Sequence, residues 1–213
     1  MKRLFILFTP FLIIFSLTLI YYFKKTDKNT NFLPQRELYE PVLTNYLPIK
    51  EGTFWVYEGT VREQKEGGDF RVSILKKRVT VSKIEKVDNF SVIYMEGGDY
   101  PLFIAKNNTI DFQPDENHKD KFYLTFPLEE GIKWGSGVGH RDDGYYSWEI
   151  EKKIPRNVLG KDYEDCYRIA YKTLPDTSYK VFCYGLGIVE EGYIHNGTIL
   201  EEKYNLVDTN IIN

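Results

Sequence analysis

Residues 165–185, DCYRIAYKTLPDTSYKVFCYG, decide the fold class of this chain. Polar and apolar side chains alternate on both sides of a central Leu-Pro-Asp sequence, which is typical of a turn. Alternation at this period indicates strands, because successive side chains of a strand point to opposite faces of the sheet. The stretch therefore predicts an antiparallel hairpin.

The two cysteines of the chain, Cys166 and Cys183, lie one in each predicted strand of this hairpin. If Lys172 pairs with Thr177, Cys166 stands opposite Cys183, and opposed Cβ atoms lie about 4.5–5.5 Å apart. This separation is close to what a disulfide requires, and the bridge would contribute roughly 3 kcal/mol in the chain-entropy model. Two buried free thiols are the alternative, and a register slip of one residue would separate the side chains.

Alanine is nearly absent from the 213 residues, occurring only at Ala105 and Ala170, whereas tyrosine occurs 17 times and phenylalanine 14 times. Alanine is the best helix former, and aromatic and β-branched residues favour strands. The composition therefore excludes an all-α fold. An AT-rich genome is another source of this bias, but the strand periodicity does not depend on it.

Strand-like segments continue from Thr53 to Leu206 at hairpin spacing, and we count about ten or eleven of them. The pattern predicts an all-β fold, built as a strongly curved antiparallel meander or an open half-barrel. The apolar positions change from even to odd numbers after Ile74. This change of phase predicts a bulge or bend near Lys76-Lys77.

The N-terminal stretch LFILFTPFLIIFSLTLIYYF, residues 4–23, contains no charged residue and would span about 30 Å as a helix. We predict one transmembrane helix that serves as an uncleaved signal anchor over residues 1–25. A juxtamembrane linker would follow over residues 26–45, and an extracytoplasmic β domain over residues 46–213. A cleaved signal peptide is the alternative, and its only weak cleavage site is Ser16-Leu17-Thr18.

The charge balance bears on location and partners. Outside the predicted anchor the chain has 24 basic and 31 acidic residues, a net charge of −7. This balance argues against nucleic acid or an anionic membrane surface as a partner. The short tail before residue 4 favours a single-pass protein of a bacterial cell membrane, with its C-terminal domain outside the cytoplasm.

A ten-residue phrase occurs twice, as YLPIKEGTFW at residues 46–55 and as TFPLEEGIKW at residues 125–134. Four positions match, namely Pro48/Pro127, Glu51/Glu130, Gly52/Gly131 and Trp55/Trp134. We interpret the phrase as a recurring structural corner and not as a ligand site. Proline fixes an extended approach, glycine permits a positive φ, and tryptophan is buried at the start of the strand.

Several phrases resemble a group of uncharacterised bacterial exported and lipoprotein-type domains. The first is Tyr-x-Pro-x-x-x-Gly-x-x-Trp-x-Tyr, and the others are Phe-Pro-Leu-x-x-Gly-x-x-Trp, Asp-Cys-Tyr and Tyr-Gly-Leu-Gly-Ile-Val. Their residues include Tyr46, Pro48, Gly52, Trp55, Tyr57, Pro127, Gly131, Trp134, Gly185 and Gly187. The resemblance covers residues 44–206 and implies a curved sheet similar to the lipoprotein carrier LolA and its receptor LolB. A membrane anchor in place of a lipidated cysteine argues against a shuttle role.

No pattern typical of catalysis or metal binding stands out, and we predict a protein that is not an enzyme and that uses no cofactor or metal. The histidines are scattered, and neither the loop at His140–Gly144 nor the acidic cluster at Asp111–His118 has the spacing of a cation site. Gly135–Gly139 lacks the Lys-Ser/Thr of a phosphate loop. We interpret the acidic pairs Glu129-Glu130 and Glu190-Glu191 as surface charge.

The aromatic content suggests a binding function, because a curved sheet lined by large rings leaves an apolar groove on its concave face. We predict a membrane-anchored module that binds a lipid, a lipoprotein segment or another envelope component. A closed interior filled by the same rings is the opposing interpretation. The alternative function is a protein-docking or sensor domain of an envelope complex, acting through its acidic surface or an open sheet edge.

Overall fold

The structure is a computed structural model that describes residues 46–65, 67–113, 120–195 and 200–211. The predicted anchor and linker lie outside these residues. Every regular element described is a strand, and within these ranges no helix is long and apolar enough to cross a membrane. The strands are β1 (Phe54–Gln64), β2 (Phe70–Val87), β3 (Phe90–Glu96), β4 (Leu102–Lys106), β5 (Thr109–Asp111), β6 (Tyr123–Thr125), β7 (Lys133–Trp134), β8 (Ser147–Lys153), β9 (Arg156–Val158), β10 (Lys161–Tyr163), β11 (Cys166–Lys172), β12 (Asp176–Cys183), β13 (Gly187–His195) and β14 (Leu200–Thr209).

Twelve of these strands form one antiparallel sheet in the order β6-β5-β4-β3-β2-β1-β14-β13-β12-β11-β8-β7, and β9 pairs with β10 separately. Most neighbours are consecutive hairpins, as the spacing of the segments predicts. The first and last strands, β1 and β14, pair in the middle of the order. The prediction of an all-β antiparallel fold is therefore confirmed.

The sheet curls until its two ends meet. Strands β6 and β7 stand at opposite ends of the order, yet the rings of Tyr123 in β6 and Trp134 in β7 are 5.3 Å apart. The Trp134 and Trp148 indole N–H groups donate to the carbonyl oxygens of Lys121 and Asp120, at 3.2 and 2.8 Å. Side chains that bridge the two ends define an inner, concave face.

The hairpin predicted from residues 165–185 is confirmed. Strands β11 and β12 pair with Lys172 opposite Thr177 and Cys166 opposite Cys183. The two cysteines form a disulfide, and both are fully buried. The alternative of two free thiols is therefore excluded.

The bend predicted near Lys76-Lys77 is wrong. Strand β2 is continuous over 18 residues, and its register with β1 is unbroken along the paired length. The only shift in β2 lies further on, between Val81 and Lys83, where it pairs with β3. The apolar residues that suggested the first phase do not face the core, because Val72 and Ile74 are 61% and 73% exposed.

Both copies of the repeated phrase form the same turn. Gly52 and Gly131 have φ values of +81° and +83°, a conformation that glycine adopts without steric cost. The Gly52 N–H donates to the carbonyl oxygen of Val81 at 2.8 Å, and the Gly131 N–H donates to that of Ile150 at 2.7 Å. Each corner is thus tied to the middle of a neighbouring strand.

The glutamate of each corner makes a second matching contact. The Glu51 carboxylate accepts a hydrogen bond from the Ile84 N–H at 2.9 Å, and the Glu130 carboxylate accepts one from the Lys153 N–H at 2.8 Å. In both copies the residue that donates to the glutamate follows, by three positions, the residue that accepts from the glycine N–H. Ile84 follows Val81 in this way, and Lys153 follows Ile150. The repeat is therefore a repeated set of backbone contacts as well as a repeated phrase.

Candidate functional site

The phrases singled out in the sequence meet at one end of the concave face. The Tyr46 ring stacks on Phe126 at 4.7 Å and meets the edge of Tyr184 at 4.8 Å. The Gly185 N–H donates to the Tyr46 carbonyl oxygen at 2.9 Å, and the Leu128 N–H donates to the Tyr184 hydroxyl at 2.7 Å. These contacts place the start of the domain, the β6–β7 connection and the β12–β13 turn together.

The two prolines of the repeat do not take part in this cluster directly. Pro48 and Pro127 are exposed, whereas their neighbours Leu47 and Phe126 are buried. Trp134 is buried beside the closing end of the sheet. These residues shape the framework, and the apolar pocket lies next to them.

A pocket of about 80 Å³ opens on the concave face beside this end. Its lining is mainly apolar and includes Trp55, Met95, Phe103, Phe112, Phe182 and Ile188. These side chains come from strands on both halves of the sheet, so the curl of the sheet creates the pocket. We call this cavity the apolar pocket.

The polar atoms of Trp55 and Tyr57 are bonded away from the apolar pocket. The Trp55 indole N–H donates to the Leu186 carbonyl oxygen at 2.7 Å, and the Tyr57 hydroxyl donates to the Ile188 carbonyl oxygen at 2.8 Å. Both rings therefore contribute apolar surface to the lining. Among the residues of the resemblance, Trp55, Tyr57, Gly187 and Ile188 line this pocket.

Gly187 is needed for the wall of the apolar pocket. Its φ is +88°, and a Cβ atom added there would lie 2.9 Å from the Cδ1 atom of Leu47. A larger residue at this position would therefore push Leu47 out of place. The glycine of the Tyr-Gly-Leu-Gly phrase thus has a steric role in the site.

Three charged side chains, Lys77, Lys180 and Glu191, meet at the mouth of the apolar pocket, and we call them the charged triad. The Lys180 ammonium donates to one carboxylate oxygen of Glu191 at 2.8 Å, and the Lys77 ammonium bonds to the other. Their side chains are only 11%, 23% and 13% exposed for Lys180, Lys77 and Glu191. Lys77 also lies 3.4 Å from the carboxylate of Asp99, which is 66% exposed.

Sheet register explains why these residues meet. Lys180 on β12 is paired directly with Glu191 on β13, and Lys180 shares the inner face with Phe182 because the two are separated by one residue. Lys77 is paired with Tyr57 on β1. Each of the strands β2, β12 and β13 thus has one charged residue on the inner face, next to inward-facing residues that are apolar.

Aromatic rings surround both ammonium groups of the triad. The Lys77 nitrogen lies 4.8 Å from the ring centre of Tyr204 and 5.5 Å from that of Tyr57. The Lys180 nitrogen lies 5.5 Å from the ring centre of Tyr100. Contacts of this kind favour the charged form of lysine, since the face of an aromatic ring attracts cations.

The triad is ionised at neutral pH. Burial by itself raises the pKa of Glu191, but the ammonium groups of Lys180 and Lys77 outweigh burial, and the net pKa is lowered. Burial by itself lowers the pKa of Lys180, but the carboxylate of Glu191 reverses this effect, and the net pKa is raised. Burial, together with the charge of Glu191, raises the pKa of Tyr57 well above its usual value.

A second, more polar groove of about 230 Å³ lies on the other side of the triad. It shares Lys77, Asp99 and Glu191 with the apolar pocket and continues past Tyr193 and Tyr204. The triad therefore stands between an apolar chamber and an open polar channel. This arrangement can hold a molecule that is apolar at one end and polar at the other.

The other candidate residues do not join this site. Ser136 donates to the Asp120 carboxylate at 3.0 Å, and His195 contacts Asp176 at the end of the β12–β13 pair. In the loop after β7, hydrogen bonds from Arg141 lower the pKa of Asp143 to about 2. These are local contacts of loops and strand ends.

No group of three or more potential metal ligands is found among the residues that the structure describes. Asp115, Glu116 and His118 lie outside them. The carboxylates of Glu129 and Glu130 are on the exposed corner that precedes β7, where Glu130 accepts its backbone hydrogen bond.

Sequence reasoning missed Lys77, Lys180 and Asp99, and interpreted Glu191 as surface charge. That interpretation of Glu190-Glu191 is wrong, since both side chains are only about one-seventh exposed, at 14% and 13%. Glu190 pairs with Lys203 on the opposite face. The sequence did contain one signal for this site. Lys180 lies two positions before Phe182, and residues two apart in a strand point to the same face, which here is the core.

No family model matches the chain, and no curated protein sequence matches it. Three solved structures are similar in backbone. A Bacteroides fragilis protein assigned as exported, with a YmcC-like fold, has a TM-score of 0.46 and 10% identity, covering 78% of this chain and 98% of its own. A Parabacteroides distasonis protein assigned as a lipoprotein has a TM-score of 0.37 and 12% identity, covering 75% and 95%.

The third is a LolA-superfamily protein from Nitrosomonas europaea, with a TM-score of 0.27 and 9% identity, covering 82% of this chain and 92% of its own. Since every TM-score is below 0.5 and every identity is 12% or less, we infer neither family nor ligand from these similarities.

Proposed function

We propose that the domain is a non-catalytic, extracytoplasmic module that binds an amphipathic envelope component, such as a lipid or an acylated lipoprotein segment. The observation that carries this proposal is the apolar pocket on the concave face, which opens directly beside the charged triad. Pockets that are mainly apolar with a few converging polar groups are the usual form of small-molecule sites. Residues 4–23 would hold the module at the outer face of a bacterial cell membrane.

The size of the apolar pocket limits what enters it. A water molecule needs about 10–15 Å³ of such space, so about 80 Å³ admits a short run of methylene groups and not a whole lipid. The remainder of the ligand would lie in the polar groove beyond the triad. The module would therefore hold the ligand across the triad.

The protonation of the triad supports binding over acid–base chemistry. A general acid or base works best when its pKa lies near the operating pH. Here the pKa of Lys180 is raised and that of Glu191 is lowered, so both move away from neutrality. Groups held permanently charged are suited to recognition.

Filling the apolar pocket is expected to weaken binding strongly. Trp55 lines the pocket, so 10-bromodecan-1-ol should quench its fluorescence in the wild-type domain, because bromine quenches on contact. We expect Val79→Phe, which adds a ring to the lining, to raise the dissociation constant about tenfold or more, since each excluded methylene group costs ~0.8 kcal/mol.

Val87→Phe provides the matched control, because Val87 lies on the same strand but outside the pocket lining. Trp55→Phe should remove the quenching and so identify its source. The proposal fails if the wild-type domain shows no saturable quenching, or if Val79→Phe binds as the wild type does.

A second candidate function, protein docking, is favoured by an open edge of β2. Strand β3 pairs only with Thr80–Val87, and no described strand pairs on that side with the preceding half of β2. Val72 and Ile74 are strongly exposed there. Unpaired edges with apolar side chains accept an added strand, and the FRVSILKKRV sequence, which has four basic and no acidic residues, favours an acidic partner.

Site-specific photo-cross-linking in cells separates the two functions. A photoreactive residue in place of Val72 should capture one protein partner reproducibly if the edge is a docking site. An Ile74→Pro change in the same protein should abolish that adduct, because hydrogen bonding alternates along the strand, the Val81 N–H bonds towards β1, and the Ile74 N–H therefore faces the open edge, where proline removes it. A photoreactive residue in place of Met95 should instead capture lipid. Adducts at neither position would contradict both functions.

A further inference from the structure

The charged triad has more positive than negative charge. Two ammonium groups, on Lys77 and Lys180, share the single carboxylate of Glu191, and all three side chains are largely buried. The fourth group, Asp99, lies in the turn between β3 and β4 and is 66% exposed. Its contact with Lys77 is long, at 3.4 Å, so solvent weakens it.

Lys77 is the group that a ligand can reach. Its side chain is twice as exposed as that of Lys180, and it lines both the apolar pocket and the polar groove. Further along the groove the lining includes the acidic Glu202. The excess positive charge of the triad therefore lies on Lys77, at the point where the two cavities meet, and Asp99 balances it from the exposed side.

Stability alone does not explain this arrangement. Buried ion pairs are often no more stabilising than apolar residues of similar size, because removing the charges from water costs as much as their attraction returns. Apolar side chains at these inward positions would simply extend the core around Phe122 and Phe182. A charged site at the mouth of an apolar pocket is better explained by recognition of an oppositely charged head group.

We propose that the ligand is a single-chain amphiphile with an anionic carboxylate head, which Lys77 binds in place of Asp99. The chain would enter the apolar pocket, while Lys180 and Glu191 act as positioning residues that hold Lys77 at the mouth. This inference rests on the proposed binding function and specifies its ligand class.

The test compares 10-bromodecanoic acid with 10-bromodecan-1-ol at pH 7, using quenching of Trp55 fluorescence. The two probes share chain and bromine and differ only in the head group. We expect the wild-type domain to bind the acid about tenfold or more tightly than the alcohol, as charged hydrogen bonds allow. In Lys77→Met the ratio should fall to about one, whereas Lys83→Met, on the exposed part of the same strand, should keep the wild-type ratio.

A second variant allows the proposal to be tested even if the Lys77→Met protein does not fold. Asp99→Asn removes the carboxylate that competes for Lys77, so its affinity for the acid should rise several-fold while its affinity for the alcohol stays the same. Equal binding of acid and alcohol by the wild type would overturn this inference and leave the proposed function standing. Binding of neither probe would overturn both.

Discussion

Replacing Glu191 by glutamine is expected to lower the free energy of unfolding by about 3–5 kcal/mol at pH 7. Glutamine has nearly the same shape, so the change removes the charge and little else. It leaves the ammonium groups of Lys77 and Lys180 buried without their shared carboxylate. An uncompensated buried charge is among the most destabilising consequences of a single substitution.

The loss should depend on pH in a defined direction. The pKa of Glu191 is lowered in the folded protein relative to its ordinary value of 4.5, so ionised Glu191 stabilises the fold above about pH 4.5. That stabilisation disappears as the pH falls through the folded pKa, because the wild-type carboxyl is then neutral as well. The difference between wild type and Glu191→Gln should therefore shrink steadily below about pH 4.5.

Urea unfolding of both proteins at pH 7, 4 and 3 measures this difference. The control is Glu201→Gln, which removes a half-exposed carboxylate that lies 3.9 Å from Arg62. Exposed pairs of this kind contribute about 0–1 kcal/mol, so this variant should unfold nearly as the wild type does. A constant difference between wild type and Glu191→Gln at every pH would show that ionisation of Glu191 does not stabilise the fold.

Local features of the fold were predictable from sequence. The β11–β12 hairpin depends on a turn and on alternation within one short stretch, so its register and its disulfide followed from residues 165–185. The bend in β2 was predicted wrongly because alternation shows that two faces differ but not which face is buried. Ile74 is apolar and 73% exposed, because it lies on the opposite face of β2 from the pocket-lining residues Lys77 and Val79.

Short strands were missed for a related reason. Strand β7 has two residues and β9 and β10 have three each, too few to show a period. The β9–β10 pair covers the outer face near the disulfide, where the Cys166 sulfur lies 3.6 Å from the Tyr163 carbonyl oxygen. Its formation depends on the surface that it covers more than on its own sequence.

The site was harder to predict than the fold because its parts are far apart in sequence. Lys77 and Glu191 are separated by 114 residues, and the pairing of β1 with β14 brings their halves of the sheet together. Adjacent residues of a strand point to opposite faces, so the Glu190-Glu191 pair implied one inward carboxylate. Nothing in the local sequence indicated which of the two it was.

The repeated phrase shows that two similar stretches of sequence can have different roles in the same fold. Its two copies make the same backbone contacts at Gly52 and Gly131, so they are equivalent as corners. Only Trp55 lines the apolar pocket, whereas Trp134 helps to bring the ends of the sheet together. The same corner thus contributes to the apolar pocket in one half of the sheet and to closing the sheet in the other half. The position of each copy in the strand order determines which role it has.

The second large effect is expected at the disulfide. Replacing both cysteines by alanine should lower the free energy of unfolding by about 3 kcal/mol, because the bridge closes a loop with a sequence separation of 17 in the unfolded chain. For a domain of this size the midpoint of thermal unfolding should fall by about 6–12 °C. Cys166 and Cys183 are fully buried, so some of the loss will come from the small cavity that the missing sulfur atoms leave.

Thermal unfolding with and without reductant separates these two contributions. The wild-type midpoint should fall towards that of Cys166→Ala/Cys183→Ala when dithiothreitol is present during unfolding, whereas the midpoint of the variant should not respond. Cys183 follows Phe182, which lines the apolar pocket, and Lys180 of the triad is on the same strand. The folded variant should nevertheless bind 10-bromodecanoic acid with wild-type affinity, because β12 remains paired with both β11 and β13. A large loss of affinity at a temperature where the variant is fully folded would show instead that the disulfide holds β12 in its binding geometry.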